Sequence, residues 1–276
     1  MQSLSNTQLR IISAIILLII LLILMNLGAY YMLGLIFVVG LLLTDEILVN
    51  FTGIERNQIN YLSMQALFAL MFLVFNSLFI LDNLHYPIHF LGIVINVTFI
   101  LVLFFYETFG KRVIESLGEK RWYWVVIFSV LMLNFASAFY HSQWRIVVWG
   151  IIILNFATDT GAWLIGKNFG KHKLWPSVSP GKTIEGFLGG IALATIFSAL
   201  YWWNFMPKME TNFLVCLFIL TIFSQVGDLV QSRLKRSFNI KDSSNIIPGH
   251  GGIHDRIDSL LFVMPFYLVI IKHYFL

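Results

Sequence analysis

One long apolar run decides the fold class of this chain. Residues 11–43 read IISAIILLIILLILMNLGAYYMLGLIFVVGLLL and contain no charged side chain. A helix of that length, at a rise of about 1.5 Å per residue, is far longer than the roughly 30 Å hydrocarbon layer of a bilayer. We therefore predict two membrane-spanning helices, 11–26 and 28–43, with a tight turn near Asn26 and Gly28.

The whole chain shares this apolar character. Of its 276 residues, 58% are hydrophobic and only 12% are charged, whereas a soluble domain carries about 25% charged residues. So few polar side chains cannot cover a soluble fold of this size, and the single cysteine, Cys216, excludes a disulfide scaffold. The sequence therefore predicts an all-α integral membrane protein with one polytopic domain over residues 1–276. The nine predicted spans are 11–26, 28–43, 59–80, 87–106, 122–140, 145–166, 184–205, 211–230 and 259–275.

The positions of the basic residues predict which way round the chain crosses the membrane. With the N-terminus in the cytoplasm, all but three of the 18 Lys and Arg residues (Arg145, Lys208 and Lys272) fall in inward-facing segments, in agreement with the positive-inside rule. Reactive residues are scarce in an N-terminal helical part, residues 1–110, and gather in later segments. We expect the chemistry in residues 145–276, the predicted catalytic part.

The first polar cluster lies between the sixth and seventh predicted spans. It contains Asp159, near the inner end of the sixth span, and SPGKTIEG at residues 179–186. A carboxylate within a membrane is costly, so we expect Asp159 to face the bundle interior or a water-filled cavity; pairing with a nearby lysine that fixes packing is the alternative. We expect Pro180–Gly181 to open the seventh helix, whose N-terminus and Lys182 would bind phosphate, unless this loop only meets anionic lipid. Because residue 176 is proline where a nucleotide-binding P-loop has glycine, that motif is excluded.

The second polar cluster carries three acids at the inner ends of the last two spans. Asp228 ends the eighth predicted span, and Asp255 and Asp258 lie three residues apart on one helical face where the ninth begins. The residues between Asp228 and Asp255 are expected to form a loop that leaves and returns on the inner side. Mg²⁺ takes oxygen ligands, often one or two carboxylates together with water and substrate phosphates. We therefore predict Asp228, Asp255 and Asp258 as metal ligands and catalytic residues.

Basic residues surround these acids. Acids that hold a metal beside bases that hold phosphates are typical of phosphoryl or nucleotidyl transfer. Lys182 is predicted to be catalytic as well as substrate-binding. His250 and His254 are possible metal ligands, but with so many carboxylates nearby we favour hydrogen bonds to substrate for His250 and a spacer role for His254. The predicted substrate-binding residues are Lys182, Lys235, Arg236, Lys241, His250 and Arg256.

A long stretch of the second cluster resembles a known family signature. Residues 232–258 read SRLKRSFNIKDSSNIIPGHGGIHDRID and are similar to the signature of phosphatidate cytidylyltransferases, also called CDP-diglyceride synthases. SPGKTIEGF at residues 179–187 and Gly227-Asp228-Leu229 also resemble this family. Two positions depart from its pattern: Ile184 stands where tryptophan is expected, and His254 where an aliphatic residue is expected.

The resemblance implies an activity, cofactors and a location. CTP and phosphatidate would be joined into CDP-diacylglycerol with release of pyrophosphate, in a reaction that requires Mg²⁺ and in which a monovalent cation such as K⁺ shares the site. The protein would lie in a bacterial inner membrane with its active site facing the cytoplasm. Asp228 and Asp255 would bind metal with support from Asp258, while Lys182, Lys241 and Arg256 would bind phosphates.

Two other functions stay open at this point. A transporter would distribute its acids through the membrane depth, whereas the acids of the second cluster lie at one face. A CTP-dependent lipid-alcohol kinase fits the same residues and would release CDP rather than pyrophosphate. No nucleic-acid partner is expected. The resemblance and the glycine-rich seventh span favour a homodimer, although close helix packing also explains Gly186, Gly189 and Gly190.

Overall fold

The structure is a computed structural model that describes residues 6–79, 85–206, 208–249 and 251–276. Two short π-helical turns lie at Ile47–Phe51 and Tyr106–Gly110, and a 3-10 turn lies at Ala138–Tyr140. The helices are α1 (Asn6–Leu27), α2 (Ala29–Glu46), α3 (Ile59–Phe79), α4 (His85–Phe104), α5 (Lys111–Glu119), α6 (Trp122–Ser137), α7 (Trp144–Phe169), α8 (Ile184–Trp203), α9 (Thr211–Ser237) and α10 (His254–Tyr274), and the strands are β1 (Lys173–Trp175) and β2 (Ser179–Thr183).

Apolar helices account for most of the chain, which confirms the predicted all-α integral membrane protein. Within the described residues, α2 to α4 and α6 to α10 are long and apolar enough to cross a membrane, and α1 adds a shorter apolar segment, Ile11–Leu27. The predicted turn between the first two spans is confirmed, because Gly28 adopts φ +127° between α1 and α2 and such a φ favours glycine. The count of nine spans and the cytoplasmic N-terminus stay predictions.

The two helices that carry the second polar cluster are longer than predicted. Where spans 211–230 and 259–275 were expected, α9 continues to Ser237 and α10 begins at His254. The prediction that the residues between Asp228 and Asp255 form a loop is therefore wrong, and the connection is only residues 238–253. Hydropathy marks the lipid-exposed part of a helix and misses a polar extension, such as the one in α9 that keeps a buried apolar face through Leu234.

A short antiparallel hairpin replaces the expected start of the seventh span. Residues 179–183 form β2 and pair with β1, with Lys173 opposite Thr183. Helix α8 begins at Ile184, where the Thr183 hydroxyl oxygen accepts a hydrogen bond from the Gly186 amide at 3.1 Å, a typical N-cap. The prediction that Pro180–Gly181 opens the helix is therefore wrong, because these residues are extended, whereas phosphate binding by this segment stays a prediction.

Helices α7 and α8 pack closely through glycines, as predicted. A Cβ atom at Gly186 would lie 2.7 Å from the carbonyl oxygen of Ala162, and one at Gly190 would lie 2.8 Å from that of Thr158. The resulting contact brings the end of α7 and the start of α8 together, with the hairpin between them.

Helix α10 lies at the centre of the bundle, against α4, α6, α7 and α9. The Tyr267 hydroxyl donates to the Val147 carbonyl of α7 at 2.7 Å, and the side-chain amide of Asn96 on α4 donates to the Phe262 carbonyl at 2.7 Å. Both bonds are buried, so they are strong constraints on the position of α10. The first turns of α10, which carry Asp255 and Asp258, are thereby fixed relative to the other helices.

Both polar clusters lie at one end of the bundle, which we call the site end. Helices α2, α7 and α9 end there, and α8 and α10 begin there. Lys182 of β2 contacts Asp228 of α9, and Glu46, the last residue of α2, contacts the backbone amide of His254. Segments far apart in sequence thus meet around a small volume.

The packing of α7 on α8 predicts an asymmetry between two glycines. Gly190→Ala places a methyl group against the Thr158 carbonyl and should destabilise the protein by about 1–3 kcal/mol. Gly34→Ala, in α2, meets nothing within 4 Å, so it should be neutral or stabilise the helix by a few tenths up to about 1 kcal/mol. Thermal unfolding of the two variants in detergent measures the difference, and equal midpoints would contradict this account of the α7–α8 contact.

Candidate active site

An ion pair joins the two polar clusters of the sequence. The Lys182 Nζ lies 2.5 Å from Asp228 Oδ2, and both side chains stay partly exposed. Ser232, one turn further along α9, donates its hydroxyl hydrogen to Asp228 Oδ1 at 3.3 Å. A base from the hairpin and an acid from α9 therefore form one site, which the spacing of the sequence could not show.

A cavity of about 370 Å³ opens beside this ion pair. Asp159 and Lys167 of α7 line it together with Lys182, Gln225 and Asp228. The prediction that Asp159 faces a cavity is confirmed. The remaining lining is of two kinds: the glycines 166, 181 and 186, which expose backbone, and the apolar or small side chains of Ala162, Trp163, Leu174, Thr183 and Phe187.

The hairpin that carries Lys182 is held by Glu185. Its Oε2 accepts hydrogen bonds from the backbone amides of Lys171 at 3.0 Å and His172 at 3.2 Å, and its Oε1 lies 2.6 Å from the His172 Nδ1. Sequence reasoning gave Glu185 no part in the site. The structure places it where it fixes the turn from α7 into β1, and so limits the movement of the strand that bears Lys182.

Asp255 is surrounded by donors in the second cluster. Its Oδ1 accepts from Lys235 Nζ at 2.7 Å, and its Oδ2 accepts from the backbone amides of Ser243 at 2.8 Å and Gly252 at 3.1 Å. The Ser243 hydroxyl lies 3.1 Å from the same oxygen and shares its single hydrogen between Asp255 and Glu46. The Lys235 Nζ also lies 3.7 Å from Asp258 Oδ2. Lys235 and Asp258 are each only 8% exposed, so this ammonium group neutralises two buried carboxylates.

The three predicted metal ligands differ in their surroundings. Asp258 faces the charges of Asp228, Asp159 and Lys235, whereas both oxygens of Asp255 already accept bonds from protein donors. In the described part of the chain, no three acid, histidine or cysteine side chains gather closely enough to hold a metal unaided. The carboxylates still fit Mg²⁺, which needs only one or two of them when water and substrate phosphates complete its shell.

The other predicted substrate-binding residues are spread around the site end. Arg256 is exposed at the start of α10 and interacts electrostatically with Asp159, and Lys241 is exposed in the 238–253 connection. Arg236 donates to the Ile240 carbonyl at 3.0 Å, so it closes the C-terminal end of α9. His250 lies outside the described residues.

Glu46 is a site-end residue that sequence reasoning missed. It is completely buried. Its Oε2 accepts from the Ser243 hydroxyl at 2.9 Å and the His254 amide at 2.9 Å, and its Oε1 accepts from the Ser244 hydroxyl at 2.5 Å and the Ile253 amide at 2.7 Å. The only signal for it was an acid at the end of an apolar span, which by itself suggests function.

His254 is buried in an aromatic environment. Its ring centroid lies 5.5 Å from that of Phe51 and 5.5 Å from that of Phe128, edge to face in both cases. Neither ring nitrogen has a hydrogen-bond partner among the described residues. The ring therefore contributes to packing between α10, α6 and the π-helical turn, in keeping with its interpretation as a spacer rather than a ligand.

Comparison with known proteins identifies the family. Residues 8–274 match the model of the cytidylyltransferase family. A Bacillus subtilis (strain 168) protein named phosphatidate cytidylyltransferase is 49% identical over 117 residues, which are 41% of this chain and 43% of that protein. Proteins of the same name from Staphylococcus aureus (strain COL) and Staphylococcus epidermidis are 52% identical over 115 residues and 49% identical over 123 residues.

The matched segments have a limited extent. They cover 41% and 44% of this chain in the two staphylococcal comparisons, and 44% and 46% of the relatives. The chain thus spans less than half the length of the curated relatives that it matches. The family model, in contrast, extends over nearly all of the sequence, and the chain belongs to the cytidylyltransferase family.

Proposed function

We propose that this protein is a phosphatidate cytidylyltransferase, which joins CTP and phosphatidate into CDP-diacylglycerol and releases pyrophosphate. The observation that carries the proposal is the contact between Lys182 and Asp228 at the edge of a charged cavity. It combines an acid and a base, as transfer between phosphates requires, at an end of a membrane bundle where a lipid headgroup can reach them. The family and the activity named for its relatives support it.

The reaction needs no protein nucleophile. A phosphate oxygen of phosphatidate attacks the α-phosphorus of CTP, a new P–O–P bond forms, and the bond to the β-phosphate breaks with pyrophosphate as leaving group. The protein contributes position and charge neutralisation. Lys182 and Lys167 line the cavity and would bind phosphate oxygens, and Arg256 and Lys241 stay predicted phosphate-binding residues. When a phosphate pairs with the Lys182 ammonium group, Asp228 Oδ2 loses its ion-pair partner and becomes available as a metal ligand.

Mg²⁺ is the proposed cofactor, held by Asp228 and Asp258, with Asp255 as the third predicted ligand and K⁺ as a monovalent companion. When bound, Mg²⁺ would offset the negative charge that builds up between the two phosphates. Asp255 would need to exchange at least one of its present donors to bind metal.

Lys235, between Asp255 and Asp258, keeps the buried acids neutralised and would interact with phosphate or remain with the acids. Arg236 and His250 stay predicted substrate-binding residues.

The proposed location is a bacterial inner membrane with the site end facing the cytoplasm, where CTP is available. The distribution of Lys and Arg supports this orientation. The exposed apolar side chains of Phe156, Trp163 and Leu188 on α7 and α8 would face lipid, or a second copy in the proposed homodimer. Phosphatidate in the same leaflet would reach the cavity at headgroup depth.

Product analysis tests the proposed activity. Purified protein with CTP, phosphatidate and Mg²⁺ should release pyrophosphate and form CDP-diacylglycerol in equal amounts. Release of CDP with diacylglycerol as the acceptor would instead establish the CTP-dependent lipid-alcohol kinase. Absence of any product with several acyl chain compositions would refute both enzymatic functions and leave a transporter as the remaining alternative.

Asp228 is expected to be essential for turnover. Asp228→Asn removes a charge that pairs with Lys182 and is proposed to bind metal, so kcat should fall by about 100-fold or more. The side chain is partly exposed, so the fold should persist. Glu107→Gln is the matched control, since Glu107 is an exposed site-end acid that pairs with Arg233; its rate should stay within about twofold of wild type. A near-normal rate for Asp228→Asn would show that Asp228 takes no part in catalysis.

Lys182 is expected to bind substrate phosphate. Lys182→Ala should raise the KM for CTP by about tenfold or more, or abolish turnover, because a charge-assisted contact to phosphate is lost. Lys173→Ala, on the paired strand, changes an exposed lysine of the same hairpin and should leave both constants within about twofold. If the two lysine variants behaved alike, the hairpin would only meet the membrane surface.

A further inference from the structure

We propose that Glu46 is a positioning residue of the active site, which holds the 238–253 connection and Asp255 in the arrangement that transfer requires without touching substrate. We call the described residues of this connection, 238–249 and 251–253, the signature loop. The inference rests on the proposed cytidylyl transfer for its effect on rate. It does not rest on that activity for its structural part, the link between α2 and the signature loop.

The first observation is that Glu46 is fully buried and fully used. Each of its two oxygens accepts two hydrogen bonds, and all four donors belong to the signature loop or the first residue of α10. A buried carboxylate without such donors would strongly destabilise the folded state. The loop and the acid therefore stabilise one another, and the loop cannot leave this position without exposing or orphaning the Glu46 charge.

The second observation is that Ser243 connects Glu46 to the acids of the site. The Ser243 hydroxyl lies 2.9 Å from Glu46 Oε2 and 3.1 Å from Asp255 Oδ2, and its amide donates to Asp255 Oδ2 at 2.8 Å. Asp255 in turn binds Lys235, which approaches Asp258. A displacement of Glu46 is thus transmitted through one serine to the buried charges that face Asp228.

The third observation is that the end of α2 is shaped for this contact. The π-helical turn Ile47–Phe51 follows Glu46 directly, and such turns are frequent at functional sites. Within it, the side-chain amide of Asn50 donates to the backbone carbonyl of Ser243 at 2.7 Å. A Cβ atom at Gly252 would lie 2.6 Å from Glu46 Oε1, so only glycine allows the loop to approach the carboxylate this closely.

The neighbouring acid gives a matched comparison. Asp45 accepts two hydrogen bonds from Arg56 at 2.8 Å and one from Tyr61 at 2.8 Å. These partners lie on the connection to α3 and on α3 itself, away from the signature loop. Two consecutive acids at the end of one helix therefore have separate partners, and neutralising each in turn separates a loss of charge from a loss of the loop contact.

The experiment compares Glu46→Gln with Asp45→Asn in the full chain, purified in detergent and assayed well below the unfolding midpoint. In glutamine an NH2 group replaces one of the two carboxylate oxygens. It cannot accept hydrogen bonds, so the two bonds to that position are lost. We expect kcat to fall by about tenfold or more with the KM for CTP within about threefold. Amide hydrogen exchange of residues 243–254 should become faster. Asp45→Asn should change neither the rate nor exchange in the loop.

A double-mutant cycle distinguishes positioning from a general loss of stability. If Glu46 acts through Ser243, Ser243→Ala combined with Glu46→Gln should cost little more in kcat than the larger single change. Fully additive losses, or a folded Glu46→Gln with wild-type kcat, would overturn the proposal. If Glu46→Gln does not fold, Ser244→Ala removes one of its four donors more mildly. That variant should still lower kcat by about threefold or more with faster loop exchange, and wild-type values would overturn the proposal.

Failure of the proposed function is recognised separately. If wild-type protein forms no product from CTP and phosphatidate, the activity assignment fails, and hydrogen exchange alone decides the role of Glu46. Loop protection lost in Glu46→Gln and kept in Asp45→Asn would uphold the link between α2 and the signature loop. Equal protection in both variants would overturn it.

Discussion

Lys182 and Asp228 come from the two polar clusters of the chain, and their contact at 2.5 Å is where those clusters become one site. The other features of the site end serve this contact. Glycines between α7 and α8 allow the approach that places the hairpin beside α9, and Glu185 fixes the turn that leads into the hairpin. The acid and the base then border the same cavity, where one would bind metal and the other phosphate.

Burying charge near a membrane is costly, and the site end shows how the cost is met. Asp255 and Asp258 share the Lys235 ammonium, while Glu46 has no basic partner among the described residues and is stabilised by four hydrogen bonds. These are the two ways in which buried carboxylates are ordinarily satisfied. The result is a set of acids that are positioned before substrate arrives, which is what catalysis by charge neutralisation requires.

Local sequence predicted part of this arrangement. The spacing of Asp255 and Asp258, the glycine packing and the cavity at Asp159 followed from helix geometry and the cost of charge in lipid. The hairpin at β1 and β2 was missed because it is short and polar, and the polar end of α9 because hydropathy falls before the helix ends. Glu46 was missed because its donors lie far away in the sequence, 197 residues in the case of Ser243. The periodicity of a single sequence holds no information on contacts at that distance.

An experimental structure with Mg²⁺ and a CTP analogue that cannot be cleaved between the α- and β-phosphates would test the central claim most directly, since both polar clusters are held to form one nucleotide site. The account predicts the triphosphate in the cavity between the hairpin and α9, with Lys182 on a phosphate oxygen and the metal on Asp228. A nucleotide bound at another surface, such as the cavity beside Lys208 and Glu210 at the other end of the bundle, with the Lys182–Asp228 pair intact, would contradict it.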